Sequence, residues 1–363
     1  MEQSKIQNAR RQKIPAFLRY KMNNKKIVIS AFLIVVPLIV GTTICFWSWH
    51  QPASPIENQK LAINIREKEY IQLLFVGDLM FDRGIRYYAL KNGGNEFIFD
   101  KISKVLLEND LVVANLEGPI TGAKSMSITA KSDQPESITF TFDPSLARTL
   151  FNENIRMVDL GNNHILNFGL QGVEETEKYL NRAGVEYFGA PQTKQSIIKD
   201  INGIKIAFVS YNYYEFRGDL AKAQKAAIDE IKKVRPLADI VIVLCHWGDE
   251  YKLNNNEAQK ILAHQFIDQG TDLVIGSHPH VIQPIEIYNG KRIYYSLGNF
   301  IFDQYFDENV RNGLGVVVKI NKTTKQMDFS EKYFYLDSNG QTLLQTQGYP
   351  ASDGQAIEKT EQK

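Results

Sequence analysis

The stretch "TDLVIGSHPHVIQPIE", Thr271 to Glu286, is where the reading of the fold begins. Its first half is a short β-branched run closed by Gly276, the signature of a buried strand. Its second half places His278 and His280 on either side of Pro279, where that run ends. Residues i and i+2 of an extended segment point the same way, so both imidazoles are expected to face one spot. Pro279 favours this, because the residue before a proline is biased toward extended backbone. Two loop histidines bonded to nearby backbone satisfy the same letters, and this stretch alone leaves both readings open.

Outward from it, the same design repeats. From residue 71, apolar runs alternate with helical patterns: "IQLLFVG", a helix around Phe97 to Leu107, "DLVVAN", "IRMVDLGN", a helix over 170–183 and "KIAFVSYN". A helix near 219–234, "ADIVIVLCHWG", a helix near 255–269, "TDLVIGSH", a hairpin "IEIYNGKRIYYS" and a strand "LGVVVKI" follow. This βαβ rhythm with some antiparallel sheet predicts a layered α/β fold. No internal repeat or heptad run is visible.

Six strand ends carry polar clusters: Gly77 and Asp78; Asn115 and Glu117; Asn162, Asn163 and His164; His246, Asp249 and Glu250; His278 and His280; Asn299, Asp303 and Gln304. In open α/β sheets the ligand site lies outside the carboxyl ends of the strands, so topology gathers these residues. Of six histidines, four end apolar runs. With Asp78, Glu117 and Asn163 they form a set of nitrogen and oxygen donors that zinc, manganese or iron accept. A hydrogen-bonded polar rim without an ion is the alternative.

Arg83, Asn115 and Asn299 are the candidate substrate-binding residues, with Arg83 read either as a clamp for a carboxylate or as a solvated loop charge. Alternation along "VIVLCHWG" sends Cys245 to the face opposite His246, into the core. Tyr211, Tyr213, Tyr214, Trp247 and Tyr251 either floor a polymer groove or pack the interior. No G-x-S-x-G elbow appears, which argues against a serine hydrolase.

The flanks differ from this body. Ile27 to Trp49 is an uncharged apolar span, about 30 Å or slightly more as a helix, enough to cross a bilayer. Eight basic residues and one acidic residue precede it, within residues 1–26, so the N-terminus is expected to stay in the cytoplasm. No small-residue cleavage pattern follows, so the span reads as an uncleaved signal anchor and the protein as a single-pass one of the cell membrane. Residues 50–70 read as a linker, 71–336 as the folded domain outside the membrane, and 337–363 as a flexible tail. Beyond residue 26 there are 34 basic and 40 acidic residues, a balance that does not fit a nucleic-acid binder. The two cysteines, Cys45 and Cys245, offer no disulfide framework.

The ordered motifs G-D-x-M, N-L-E-x-P, N-N-H, H-W-G-x-E-Y, G-x-H-P-H-V and Y-S-L-G-N-F-x-F-D-Q resemble the CapA/PgsA proteins of poly-γ-glutamate capsule synthesis, relatives of the calcineurin-like metallophosphoesterases. The resemblance covers about residues 71 to 320 and implies an α/β/β/α sandwich behind a single N-terminal transmembrane helix. It also implies a metal site of Asp78, Glu117, Asn163, His246, His278 and His280, with His164 as the acid that protonates a leaving oxygen. Implied partners are poly-γ-glutamate itself, a ligase subunit, a small multispanning membrane subunit and the membrane. The phosphoesterase pattern departs at Met80, where a histidine ligand is expected, and at Glu117, where the bridging carboxylate is changed. Asn167 stands where such sequences usually have an aspartate. A thioether is a poor ligand for divalent ions of this kind, so one metal position is expected to be weakened. Three functions remain open: a capsule component whose cleft handles the nascent polymer, a free-standing metal-dependent hydrolase of phosphate esters or envelope polymers, and a non-catalytic scaffold.

Overall fold

The structure is a computed structural model that describes residues 68–131, 134–215, 219–346 and 358–360. The expected span 27–49, its basic flank and most of the linker lie outside the described residues. Among the described residues no helix is long and apolar enough to cross a membrane.

Two sheets carry the fold. In the first, β1 (Tyr70–Leu79), β2 (Leu111–Leu116), β3 (Ile155–Asp159) and β4 (Glu186–Phe188) run parallel in that order. In the second, β5 (Ser196–Ile201) lies antiparallel at the edge of β6 (Ile204–Asn212), which continues in parallel to β7 (Ile240–His246) and β8 (Leu273–Ser277). The hairpin of β9 (Ile285–Tyr288) and β10 (Lys291–Tyr294) extends this sheet, β10 running parallel to β8. Its turn residues Asn289 and Gly290 both take positive φ, as a two-residue hairpin demands. The short β11 (Asn299–Ile301) pairs with the end of β1, and β12 (Asn312–Asn321) returns antiparallel along it.

The first sheet then continues where none was expected. β13 (Met327–Leu336) and β14 (Thr342–Leu344) add two antiparallel strands, and β15 (Glu358–Thr360) lies beside β9. Within the expected tail, Thr342–Leu344 and Glu358–Thr360 are therefore strands, and 337–341 is the turn that joins β13 to β14.

Burial explains the strand sequences. Leu73 and Phe75 of β1 point between the sheets, against Phe208, Ile242 and Leu244. Leu74 and Val76 point the other way, onto a layer of helices. That layer comprises α1 (Arg83–Lys91), α2 (Glu96–Phe99), α3 (Ser103–Leu107), α4 (Leu146–Asn152) and α5 (Gly169–Ala183). Val241, Val243 and Cys245 pack outward on α6 (Leu220–Val234) and α7 (Glu257–Asp268). Strands covered on both faces must be apolar throughout, and the layers run helix, sheet, sheet, helix. The single helix expected over Phe97 to Leu107 is two pieces. Tight turns from Phe97 to Asp100 and from Phe99 to Ile102 break it, so that Phe99 and Ile102 both reach the core.

Candidate metal centre

The C-terminal ends of β1, β2, β3, β6, β7 and β8 meet at one cleft, and the expected ligands sit on these ends or in the turns that directly follow them. Asp78, Glu117, His246, His278 and His280 are all buried. Three ligand triads overlap there, each with its donor atoms within 4.8 Å of one another: Glu117 with His246 and His278, Asp78 with Glu117 and His280, and Glu250 with His278 and His280.

The first sheet supplies the anions and their supports. Asn115 Nδ2 donates to Asp78 Oδ1 at 2.7 Å and lies 3.3 Å from His246 Nδ1. Asn162 donates to Asn115 Oδ1 and to the Leu116 carbonyl, while its own Oδ1 accepts the backbone N–H groups of His164 and Ile165. Asn163 Oδ1 thereby lies 2.9 Å from His246 Nε2. Gly77 makes room for this: a Cβ there would stand 1.9 Å from the Gly298 carbonyl oxygen, which accepts the Asp78 N–H.

The second sheet supplies the imidazoles, by a route the extended reading of "SHPH" did not foresee. His278 and His280 have φ of +94° and +57°, so neither is extended, and the residue before Pro279 escapes its usual bias. The turn aims the His278 N–H at Asp78 Oδ2, 3.1 Å away on the other sheet. Both rings still reach the cleft, their centroids 5.9 Å apart and their planes 51° apart rather than parallel.

Electrostatics sort these groups. Burial, and next Asp78, raise the Glu117 pKa well above the usual carboxylate range, while His280 opposes them. For His280, burial works against the charge, yet Glu117 and Asp78 outweigh it and push its pKa up to about 9. Burial and then His280 hold His278 down to about 3, and burial keeps His246 far below its usual value. Neutral imidazoles keep the lone pair that a metal requires. Neither oxygen of Glu117 finds a hydrogen-bond donor, and His278 Nδ1 is also buried without a partner. Such orphans are costly, and a cation among them would satisfy all three atoms. The residues present therefore fit a divalent ion.

The remaining candidates divide. Asn115 is fully used between Asp78, His246 and Asn162, and Asn299 accepts from or donates to His280, Gln304 and the Val310 carbonyl. Both expected substrate contacts are thus supports for ligands. Arg83 is no solvated loop charge: it pairs with Asp303, lies over the rings of Phe140 and Phe302, and lines a groove of about 660 Å³ beside the cleft. Met80 is buried in the helix layer, where its sulfur accepts the Asp82 N–H at 3.0 Å.

His164 stacks on Phe140, its Nε2 3.9 Å from Glu117 Oε1. Asn167 Oδ1 accepts the Phe140 N–H at 2.7 Å and therefore takes the proton of His164 Nδ1 at 3.1 Å. Burial lowers the His164 pKa to about 4, so the neutral ring presents a lone pair at Nε2. The acid role implied by the resemblance requires a second proton on this ring.

Among the aromatics, Tyr211 and Trp247 are core, whereas Tyr214 and Tyr251 reach the site. Tyr214 Oη meets His278 Nε2 at 2.5 Å, and the Tyr251 ring stacks over His280 at 6.0 Å. Sequence reasoning gathered Asn162 at the cleft and left Tyr214 open between groove and packing without giving either its role, and it did not single out Phe140 or Phe302. The doubled asparagine of "GNNH" was the available signal for the first, and nothing in "SYNYYEF" separates Tyr214 from its neighbours.

Residues 72–304 match the model of the bacterial capsule synthesis protein family, PGA_cap. The PGA biosynthesis protein CapA of Bacillus subtilis is 29% identical over 301 residues, which cover 79% of this chain and 76% of that protein. The capsule biosynthesis protein CapA of Bacillus anthracis is 28% identical over 301 residues, 78% of this chain and 70% of that one. Among solved structures, a novel phosphatase from Mycoplasma pneumoniae aligns with a TM-score of 0.47 at 15% identity, over 73% of this chain and 94% of that one. With the family model spanning well over half its length, the chain belongs to the bacterial capsule synthesis protein family.

Proposed function

We propose that the protein is a component of capsular poly-γ-glutamate synthesis or export, anchored by the span 27–49 with its folded domain outside the membrane. In this reading the cleft holds a divalent ion (manganese, zinc or iron) and handles the emerging polymer through it. Its partners are a ligase subunit and a small multispanning membrane subunit. Family membership and the names of the Bacillus relatives support the capsule role. The observation that carries the ion is the buried, donor-free carboxylate of Glu117 among three histidines.

Glu117, Asn163, His246 and His278 would hold the ion, and Asp78 with His280 would border a second position. When bound, the ion supplies a fixed positive charge for an anionic group of the polymer. Among the described residues of the cleft the positive charges are already paired, His280 with Asp78 at 3.3 Å. Arg83 is neutralised by Asp303, and the rim carries Asp249 and Glu250. A carboxylate-rich polymer is repelled by such a mouth unless a cation is present. His164 borders the cleft with a hydrogen-bond acceptor, and Phe140, Phe302 and Tyr251 wall it against water.

The full chain, dialysed against manganese or zinc, is expected to retain about one tightly held ion by elemental analysis. Retention of none overturns the ion. In a producing cell, His278→Ala is expected to abolish surface polyglutamate while the protein stays in the membrane. A normal capsule in that variant would leave only a scaffold role.

A further inference from the structure

The loop after β7, "HWGDEY", turns back over the cleft, and its backbone fixes which acid points inward. Gly248 at φ +84° and Tyr251 at φ +62° make the bend. The Tyr251 N–H donates to the Pro279 carbonyl at 2.8 Å, between the two histidines of "HPH". Farther along, Gln283 Nε2 donates to the carbonyls of Lys252 and Asn254. Asp249 is turned away and accepts from Asn256 Nδ2 at 2.8 Å. Glu250, next to it, is exposed, yet it presents a carboxylate oxygen within 4.8 Å of ligand atoms on His278 and His280.

Two features make this more than an acidic residue at a rim. His278 Nδ1 and both Glu117 oxygens are buried and without partners, and the three overlapping triads together name six ligand side chains, more than one ion of four ligands needs. Met80, where the phosphoesterase pattern has a histidine, offers only a thioether, whose sulfur accepts the Asp82 N–H, which leaves the position beside Asp78 and His280 one ligand short. Glu250 brings an oxygen to His280, the member it shares with that position, and to His278.

We propose that Glu250 is a metal ligand: it completes a second, outer divalent-cation position with Asp78, Glu117 and His280, replacing from the rim the ligand that Met80 does not provide. The proposal rests on the reading of the cleft as a metal centre. The outer position is more exposed and richer in oxygen than the inner one, so it takes manganese in preference to a softer ion and holds it more weakly.

The test is manganese binding by equilibrium dialysis of the full chain, compared with Glu250→Gln, Asp249→Asn and His246→Ala, each checked for native circular dichroism. The wild type and Asp249→Asn are expected to bind two ions, one tight and one weak. Glu250→Gln should keep the tight ion and lose the weak one, or hold it at least about tenfold more weakly. His246→Ala should lose the tight ion. Unchanged weak binding in Glu250→Gln overturns the outer site while leaving the inner one standing, as does a wild type that binds a single ion unaffected by Glu250→Gln. A wild type that binds none overturns both.

Discussion

Three buried carboxylates close the parallel strands of the first sheet, and they meet different partners across the gap. Asp78 and Glu117 face the imidazoles of the second sheet, with His280 raised to about 9 between them. Asp159, at the end of β3, faces the Ser210 hydroxyl of β6 and accepts the Gly161 N–H at 2.9 Å. Burial pushes its pKa up to about 7, and those two donors offset only part of that. The same topology thus sets one pair of carboxylates against an imidazole and the third against a hydroxyl. Burial raises both Glu117 and Asp159, and a base across the gap opposes that rise at Glu117, whereas at Asp159 the opposition comes from the Gly161 N–H and the Ser210 hydroxyl.

The largest expected effect separates the two by pH. An acid whose folded pKa lies above its unfolded value binds its proton more tightly when folded. The contribution of Asp159 is therefore fully present below about pH 4 and is lost as pH rises to about 7, at most about 4 kcal/mol. Asp159→Asn should remove that loss, so the variant gains stability relative to the wild type between pH 4.5 and 7.5 in urea melts. An equal difference at both pH values would show that Asp159 is not protonated in the fold.

Next in size are the glycines that let each junction close. A Cβ on Gly77 meets the backbone oxygen of Gly298 at 1.9 Å, whereas one on Gly161 meets the rotatable Ser210 hydroxyl at 2.1 Å. Gly77→Ala is expected to cost about 3 kcal/mol and to weaken metal binding, and Gly161→Ala clearly less. Equal costs would mean that β1 and β11 part as readily as a side chain turns.

The smallest effect concerns how a ligand is held. The Tyr214 hydroxyl meets His278 Nε2, so Nδ1, the orphaned atom, is the ring nitrogen left to face an ion. Tyr214→Phe should weaken metal binding by about tenfold without changing the number of ions. Tighter binding would mean that the hydroxyl competes with the metal.

Much of this was legible in the letters. Runs such as "VIVLC" are apolar because both faces are covered, and the clusters that end them mark the cleft; both signals are local. The turn at "SHPH" was not legible, because its positive φ values are set by Asp78, 200 residues away in sequence. Asn115 and Asn299 could be placed at the site, but the substrate contact expected of each is in the structure a bond to Asp78 or His280, since whether an amide meets substrate or a ligand depends on what lies opposite. β13 and β14 escaped notice because few of their side chains are buried, so their letters lack the apolar run that marks the central strands.

Cys245 lies 1% exposed under α6 and α7, its thiol pushed well up in pKa by burial. A thiol kept protonated and covered reacts with alkylating reagents only when the layer above it lifts. The residue is thus a built-in clock: its labelling rate reports how often the second sheet sheds its helices, while the cleft on the opposite face is left untouched.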